Sequence, residues 1–136
     1  MHITLETDYA VRIIDCLARS QTRLGAQAIA DSTDVTLRFS LKILRKLVQS
    51  GIVRSFKGAK GGYELNRRLE DISLNDVIET IEGPYVLNRC LRDDHTCFRN
   101  QDDAPCPYHM AFADISETVE GMLKQATFDQ FIKLDA

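Results

Sequence analysis

Along residues 7–20 the apolar side chains Tyr9, Ala10, Ile13, Ile14, Leu17 and Ala18 return at helical intervals, while Asp8, Arg12, Asp15 and Arg19 fall largely off their stripe. That pattern predicts an amphipathic helix. After a loop at 21–25, residues 26–31 predict a short helix with Ala28 and Ile29 inward, broken at Ser32-Thr33-Asp34. Thr36 is placed to cap a third helix with apolar positions Leu37, Leu41, Leu44, Leu47 and Val48, and Gly51 ends it. A short helix, a break and a longer helix make a helix-turn-helix. Between its apolar positions the longer helix is expected to expose Arg38, Ser40, Lys42, Arg45 and Lys46. Such side chains suit phosphates and base edges, which makes this the candidate recognition helix.

The pattern then changes. Ile52-Val53-Arg54-Ser55-Phe56 is β-branched and aromatic and predicts a strand, with Tyr63-Glu64-Leu65 as its partner across Lys57-Gly58-Ala59-Lys60-Gly61-Gly62. The hairpin is a wing with Lys57 and Lys60 at its tip, where glycines let the backbone approach a narrow groove. A phosphate-cradling nucleotide loop is the competing reading, but the Lys-Ser/Thr pair and the helix that should follow at once are both missing. Ser73-Leu74-Asn75-Asp76 matches a capping pattern, and Leu74, Val77, Ile78 and Ile81 carry a helix to Gly83-Pro84.

Residues 88–105 are polar, charged and cysteine-bearing with no apolar period, a loop that needs something such as a metal to order it. From Pro107 to about Gln125 the one-sided stripe Ala111, Ile115, Val119, Met122 and Leu123 predicts a longer helix that needs a packing partner. Thr127-Phe128-Asp129-Gln130 reads as a capping box that opens a last turn with Phe131, Ile132 and Leu134. The expected fold is mainly α with a small β-hairpin. It comprises a winged helix-turn-helix at 1–83, a cysteine-bearing loop at 84–106, and a dimerisation helix with its tail at 107–136.

With 136 residues, 44% hydrophobic and 27% charged, the chain can build one core without disulfide or metal staples. Its net charge of −3 hides a segregation: nine basic residues lie between Thr36 and Arg68 against the single acid Glu64, a local +8 that leaves −11 elsewhere. A basic patch of this kind is the footprint expected of phosphate contact. No transmembrane span is expected, and the first residues lack the basic and apolar regions of a secretory signal, so the expected location is cytoplasmic. There thiols stay reduced, and clustered cysteines read as metal ligands or redox sensors rather than as a disulfide framework. Cys16, on the stripe of the first helix, reads as a small core residue.

Cys90, Cys97 and Cys106 form C-x6-C-x8-C, and His109 follows three residues after the last. Thiolates suit iron-sulfur clusters and zinc. With Cys106 opening the long helix, His109 stands about one turn further on, ~5–6 Å away, so both can reach one centre. No nucleophile and base stand at a motif spacing, and an enzyme is not expected.

The stretch LRKLVQSGIVRSFKGAKGGY at 44–63 resembles the helix-to-wing signature of the Rrf-type transcriptional regulators, whose members include IscR-, NsrR-, RirA- and CymR-like proteins. Thr7-Asp8-Tyr9-Ala10-Val11-Arg12 is similar to the way these proteins begin, and the resemblance runs over nearly the whole chain. It implies a homodimer on a double-stranded DNA operator, with the long C-terminal helices paired and a cysteine loop that in many members holds an iron-sulfur cluster. By position it implies Arg38, Ser40 and Lys42 in the major groove and Lys57 in the minor groove. Leu41 stands where IscR-like members carry an acidic discriminating residue, so their operator preference does not carry over.

Three cysteines with a C-x2-H histidine, here His109, resemble the 2Fe-2S site of IscR-like members. NsrR-like members complete a 4Fe-4S cluster with an N-terminal aspartate of the other subunit, the position of Asp8. Both fourth ligands stay open, and the spacings between the cysteines are longer than the usual family pattern. The expected function is a regulator whose DNA affinity changes when the cluster is lost, oxidised or nitrosylated; oxygen exposure during purification can remove it. The alternatives are a zinc-binding or cluster-free regulator controlled by a protein partner or a small-molecule effector.

Overall fold

A computed structural model describes residues 2–92 and 106–133. Cys97 and Leu134 lie outside the described residues. Helix α1 (Leu5–Arg19) begins ahead of the apolar stripe because Thr4 caps it, its hydroxyl accepting from the Thr7 amide at 3.2 Å. The helix buries Ala10, Ile13, Ile14 and Leu17 as expected. Helix α2 (Ala26–Thr33) ends where Asp34 takes a left-handed conformation, φ 56. It buries Ile29, Ala30 and Thr33, whereas Ala28, expected inward, is exposed.

Helix α3 (Leu37–Gln49) opens on Thr36, whose hydroxyl accepts from the Phe39 amide, as the sequence predicts. Its buried face differs from the expected one. Ser40, Ile43, Leu44 and Leu47 face the core, and Leu37 and Leu41 are exposed. The set 40, 43, 44, 47 is itself a full helical repeat, but a serine at its first position hides it behind the more apolar leucine row.

Strands β1 (Val53–Phe56) and β2 (Gly62–Leu65) pair antiparallel with Val53 opposite Leu65 and Phe56 opposite Gly62. The segment before α2 adds an isolated bridge to them. Leu24 accepts from the Tyr63 amide at 2.8 Å and donates to the Tyr63 carbonyl at 3.1 Å. Gly62 makes this approach possible: its φ is +135, and a β-carbon there would lie 2.8 Å from the Leu24 carbonyl oxygen.

Helix α4 (Leu74–Glu82) carries the reciprocal capping box of Ser73 and Asp76, and α5 (Pro107–Gln125) matches the expected long helix. Beyond α5 the chain returns to the first unit. Leu74 donates to the Ala126 carbonyl at 2.9 Å and Phe128 to that of Ile72 at 3.0 Å. Phe128 and Ile132, expected in the C-terminal unit, lie in one core with Ile13, Leu47, Ile52 and Val77. The last turn is a 3-10 turn at Phe128–Gln130, and Thr127 makes no side-chain cap to its backbone. Instead, Gln130 reaches back to the Thr127 hydroxyl at 3.1 Å and the Gln125 carbonyl at 2.7 Å. Helix α5 itself buries none of its side chains and exposes Tyr108, Met110, Ile115 and Met122. Among the described residues no helix is long and apolar enough to cross a membrane.

Candidate nucleic-acid interface

The expected DNA-contacting residues separate into three groups. Arg38 and Arg45 on α3 and Lys57 and Lys60 on the hairpin are exposed and form no ion pair among the described residues. Lys42 is exposed over 57% of its side chain, yet its Nζ stands 3.5 Å from the Glu6 carboxylate. Ser40 corrects the sequence reading. Its exposure is 0% and its hydroxyl has no hydrogen-bond partner among the described residues, so it faces the core and not a groove.

Lys46 is also drawn inward. Its Nζ lies 3.1 Å from Glu6 and donates to the Ile81 carbonyl at 3.2 Å, tying α3 to the start of α1 and the end of α4. Thr7, buried in α1, donates to Glu82 at 2.5 Å at that same end of α4. These contacts join three helices just before Gly83, where the chain leaves for the cysteine segment. Sequence reasoning missed Glu6 because nothing in a lone first-turn acid marks it as a shared counter-ion.

Arg23 is the other residue that was missed. Its guanidinium carbon sits 3.3 Å from the centroid of Phe56, its Nε is 3.4 Å from Glu64, and it donates to the Lys60 carbonyl. Glu64 also pairs with Arg54 at 2.9 Å. The single acid of the basic stretch therefore holds two arginines at the hairpin, leaving the tip lysines to carry its free charge.

Of the expected metal ligands, Cys90 sits half-buried on a 3-10 turn, Arg89–Leu91, that packs against α5. Cys106 is the N-cap residue of α5, and His109 is exposed in its first turn. Asp8 pairs with Arg12 at 3.0 Å. Among the described residues no three His, Cys, Asp or Glu side chains come together to hold a metal ion; Cys97 lies outside them. Cys16, expected in the core, is half-buried at the edge of a groove between α1 and α2. Burial pushes its thiol above the ordinary range against a hydrogen bond with Ser32, which makes it a poor thiolate.

A two-helix unit presenting exposed cations beside a two-stranded hairpin with a basic tip defines a winged helix-turn-helix protein. The Rrf2 family model, described as iron-dependent transcriptional regulators, matches residues 3–134, and the chain belongs to that family. It is 27% identical over 93% of its length to a protein of Aquifex aeolicus named as an HTH-type transcriptional regulator, covering 88% of that protein. Its fold is similar to CymR, the global cysteine regulator of B. subtilis, with a TM-score of 0.78 at 21% identity, covering 96% of this chain and 95% of that one. T. potens IscR is similar with a TM-score of 0.70 at 20% identity, covering 96% of this chain and 85% of that one. The family is one of transcriptional regulators, not of enzymes.

Proposed function

We propose that the chain acts as a homodimer on a duplex operator, with α3 in the major groove, the hairpin tip in the adjoining minor groove, and α5 paired with its partner copy. The observation that carries this is the set of exposed cations that form no ion pair among the described residues, Arg38 and Arg45 on α3 and Lys57 and Lys60 on the wing. Support for the dimer is α5, a 19-residue helix that turns Met110, Ile115 and Met122 to solvent and has no fully buried residue. Fluorescence anisotropy against genomic duplex fragments at several salt concentrations tests the reading. Binding that weakens steeply with salt and falls in Arg38→Ala and Lys57→Ala is expected. Salt-independent or absent binding overturns it.

The same proposal gives the cysteine segment a sensing role. Cys90, Cys97 and Cys106 are the residues that would hold an iron-sulfur cluster, 2Fe-2S or 4Fe-4S, with His109 or Asp8 as the fourth ligand. The fit rests on the donor set: soft thiols, two of them on the turn against α5 and at its N-terminus. A bound cluster supplies iron sensitive to oxidation, nitrosylation and loss. The protein's own part is to carry a change in that segment to α3, for which the Lys46 bond to Ile81 and the Thr7 bond to Glu82 provide the joints.

Anaerobic purification with visible spectra and iron and sulfide analysis tests this part. Thiolate-to-iron bands that bleach in Cys90→Ser, Cys97→Ser and Cys106→Ser are expected, and a colourless protein after attempted reconstitution removes the cluster while leaving the DNA reading intact.

A second reading is a zinc-binding or cluster-free regulator that answers to a protein partner or a small molecule. It is favoured by the commitment of Asp8 to Arg12 and by the groove between α1 and α2, about 530 Å3, lined by Val11, Arg12, Cys16, Arg19 and Ser32.

A further inference from the structure

Helix α3 turns two leucines to solvent beside its cations. Leu37 is 39% exposed and Leu41 45%. Four residues apart on a helix, they stand on successive turns with β-carbons ~5–6 Å apart. Because Ser40, Ile43, Leu44 and Leu47 face the core, a helical rotation of about 100° per residue puts Arg38, Lys42 and Arg45 on the opposite face, with Leu37 and Leu41 along one margin of it. Phe39, also exposed, lies on the other margin and meets the edge of Tyr9 at 6.1 Å. Leu37 lines the groove where α2 meets α3, with Ala30 and Val35, and Leu41 stands one turn further along the exposed side of the helix.

A single exposed leucine is ordinary. Two in register along the basic face call for an occupant that is apolar in the middle and anionic around it. A protein surface would have to desolvate Arg38 and Arg45 to reach the leucines. The major groove meets both demands, since phosphates flank it and each thymine projects a C5 methyl into it.

We propose that Leu37 and Leu41 are specificity-determining residues that read thymine methyl groups in the major groove. The proposal rests on the DNA-binding reading above. Cytosine lacks the methyl and presents an amino donor that leucine cannot accept from, so a cytosine there is rejected twice over.

The test uses the full chain and a duplex selected by it from a random library. Each thymine is replaced in turn by deoxyuridine, which removes the methyl and nothing else. Affinities are measured for the unmodified protein, Leu37→Ala, Leu41→Ala and, as a control, Arg38→Ala. Both leucines are exposed and alanine is the best helix former, so the variants keep the fold.

At one or two positions loss of the methyl is expected to weaken the unmodified protein about fourfold, the worth of one buried carbon. The matching leucine variant should lose a similar factor on the thymine duplex and nothing more on the deoxyuridine one, while Arg38→Ala keeps its sensitivity to deoxyuridine. Indifference to deoxyuridine at every position, or an equal loss by the leucine variants on both duplexes, overturns the proposal. A chain that retains no duplex at all overturns the DNA reading beneath it as well, so the two failures are distinct.

Discussion

The guanidinium carbon of Arg23 lies 3.3 Å from the ring centroid of Phe56, closer than that of Arg54, at 5.5 Å on the same ring. Arg23 precedes the Leu24 bridge to Tyr63, so side chain and backbone together fasten the hairpin to the chain that enters α2. These contacts tie the wing to the helix-turn-helix, so that in the proposed complex its tip lysines would meet the groove already oriented.

Removal of this clamp is expected to act on binding more than on folding. The pair is near the surface, and an exposed cation–π contact contributes about 0.5–1 kcal/mol. Arg23→Ala should lower affinity for duplex DNA roughly threefold to tenfold, because the wing must then be ordered on binding. Arg23→Lys should restore little, having no planar fork to lie over the ring while reaching Glu64. Anisotropy titrations beside thermal melts check both, and unchanged affinity in Arg23→Ala would show that the wing needs no clamp.

Much of this architecture could be read from the sequence, for reasons that differ by element. Helix α5, the Thr36 cap and the Ser73 capping box are local signals: a repeat, a hydroxyl, and at Ser73 an acid three residues on. Arg23, Glu6 and Phe128 act across the chain, on partners at Phe56, Lys46 and Ile72, and no local pattern announces such pairs. The rotation of α3 is the instructive error. Five leucine and valine positions outvoted Ile43 and a serine, yet the core took the serine and left two leucines outside. An exposed apolar row on a binding helix defeats a rule that assigns apolar residues inward.

Ser40 provides a direct check on that rotation. Its buried hydroxyl finds no partner among the described residues, and an unsatisfied buried polar group costs about 1–3 kcal/mol. Ser40→Ala should therefore stabilise the fold by about 1 kcal/mol in urea denaturation and leave DNA affinity unchanged. A loss of affinity comparable to that of Arg38→Ala would place Ser40 in the groove after all.

Glu6 restrains two lysines of α3, Lys46 at 3.1 Å and Lys42 at 3.5 Å. Lys42 is the more exposed of the two, and a phosphate would compete with Glu6 for it. In Glu6→Gln, Lys42 is released toward DNA while Lys46 keeps its bond to the Ile81 carbonyl. The plot of log affinity against log salt should steepen by about one, the signature of one added phosphate contact. An unaltered slope would mean that Lys42 already engages DNA in the presence of Glu6, or never does.

Phe128 decides whether the tail is an appendage or part of the core. It is 2% exposed, packs in one cluster with residues of α1, α3 and α4, and its amide bonds to Ile72 at 3.0 Å. Truncating a buried phenylalanine costs about 3–5 kcal/mol through lost transfer energy and the cavity left behind. Phe128→Ala should thus lower the urea midpoint of the whole protein in a single transition, because the cluster it leaves is the one that orients α3. If only the C-terminal segment loosens, seen as amide exchange confined to residues beyond 106 with an unchanged midpoint, then α5 and its tail fold apart from the winged helix. In that case a signal of the kind proposed for the cysteine segment would have to travel through α4 alone, since the strap at Ala126 and Phe128 would not hold against it.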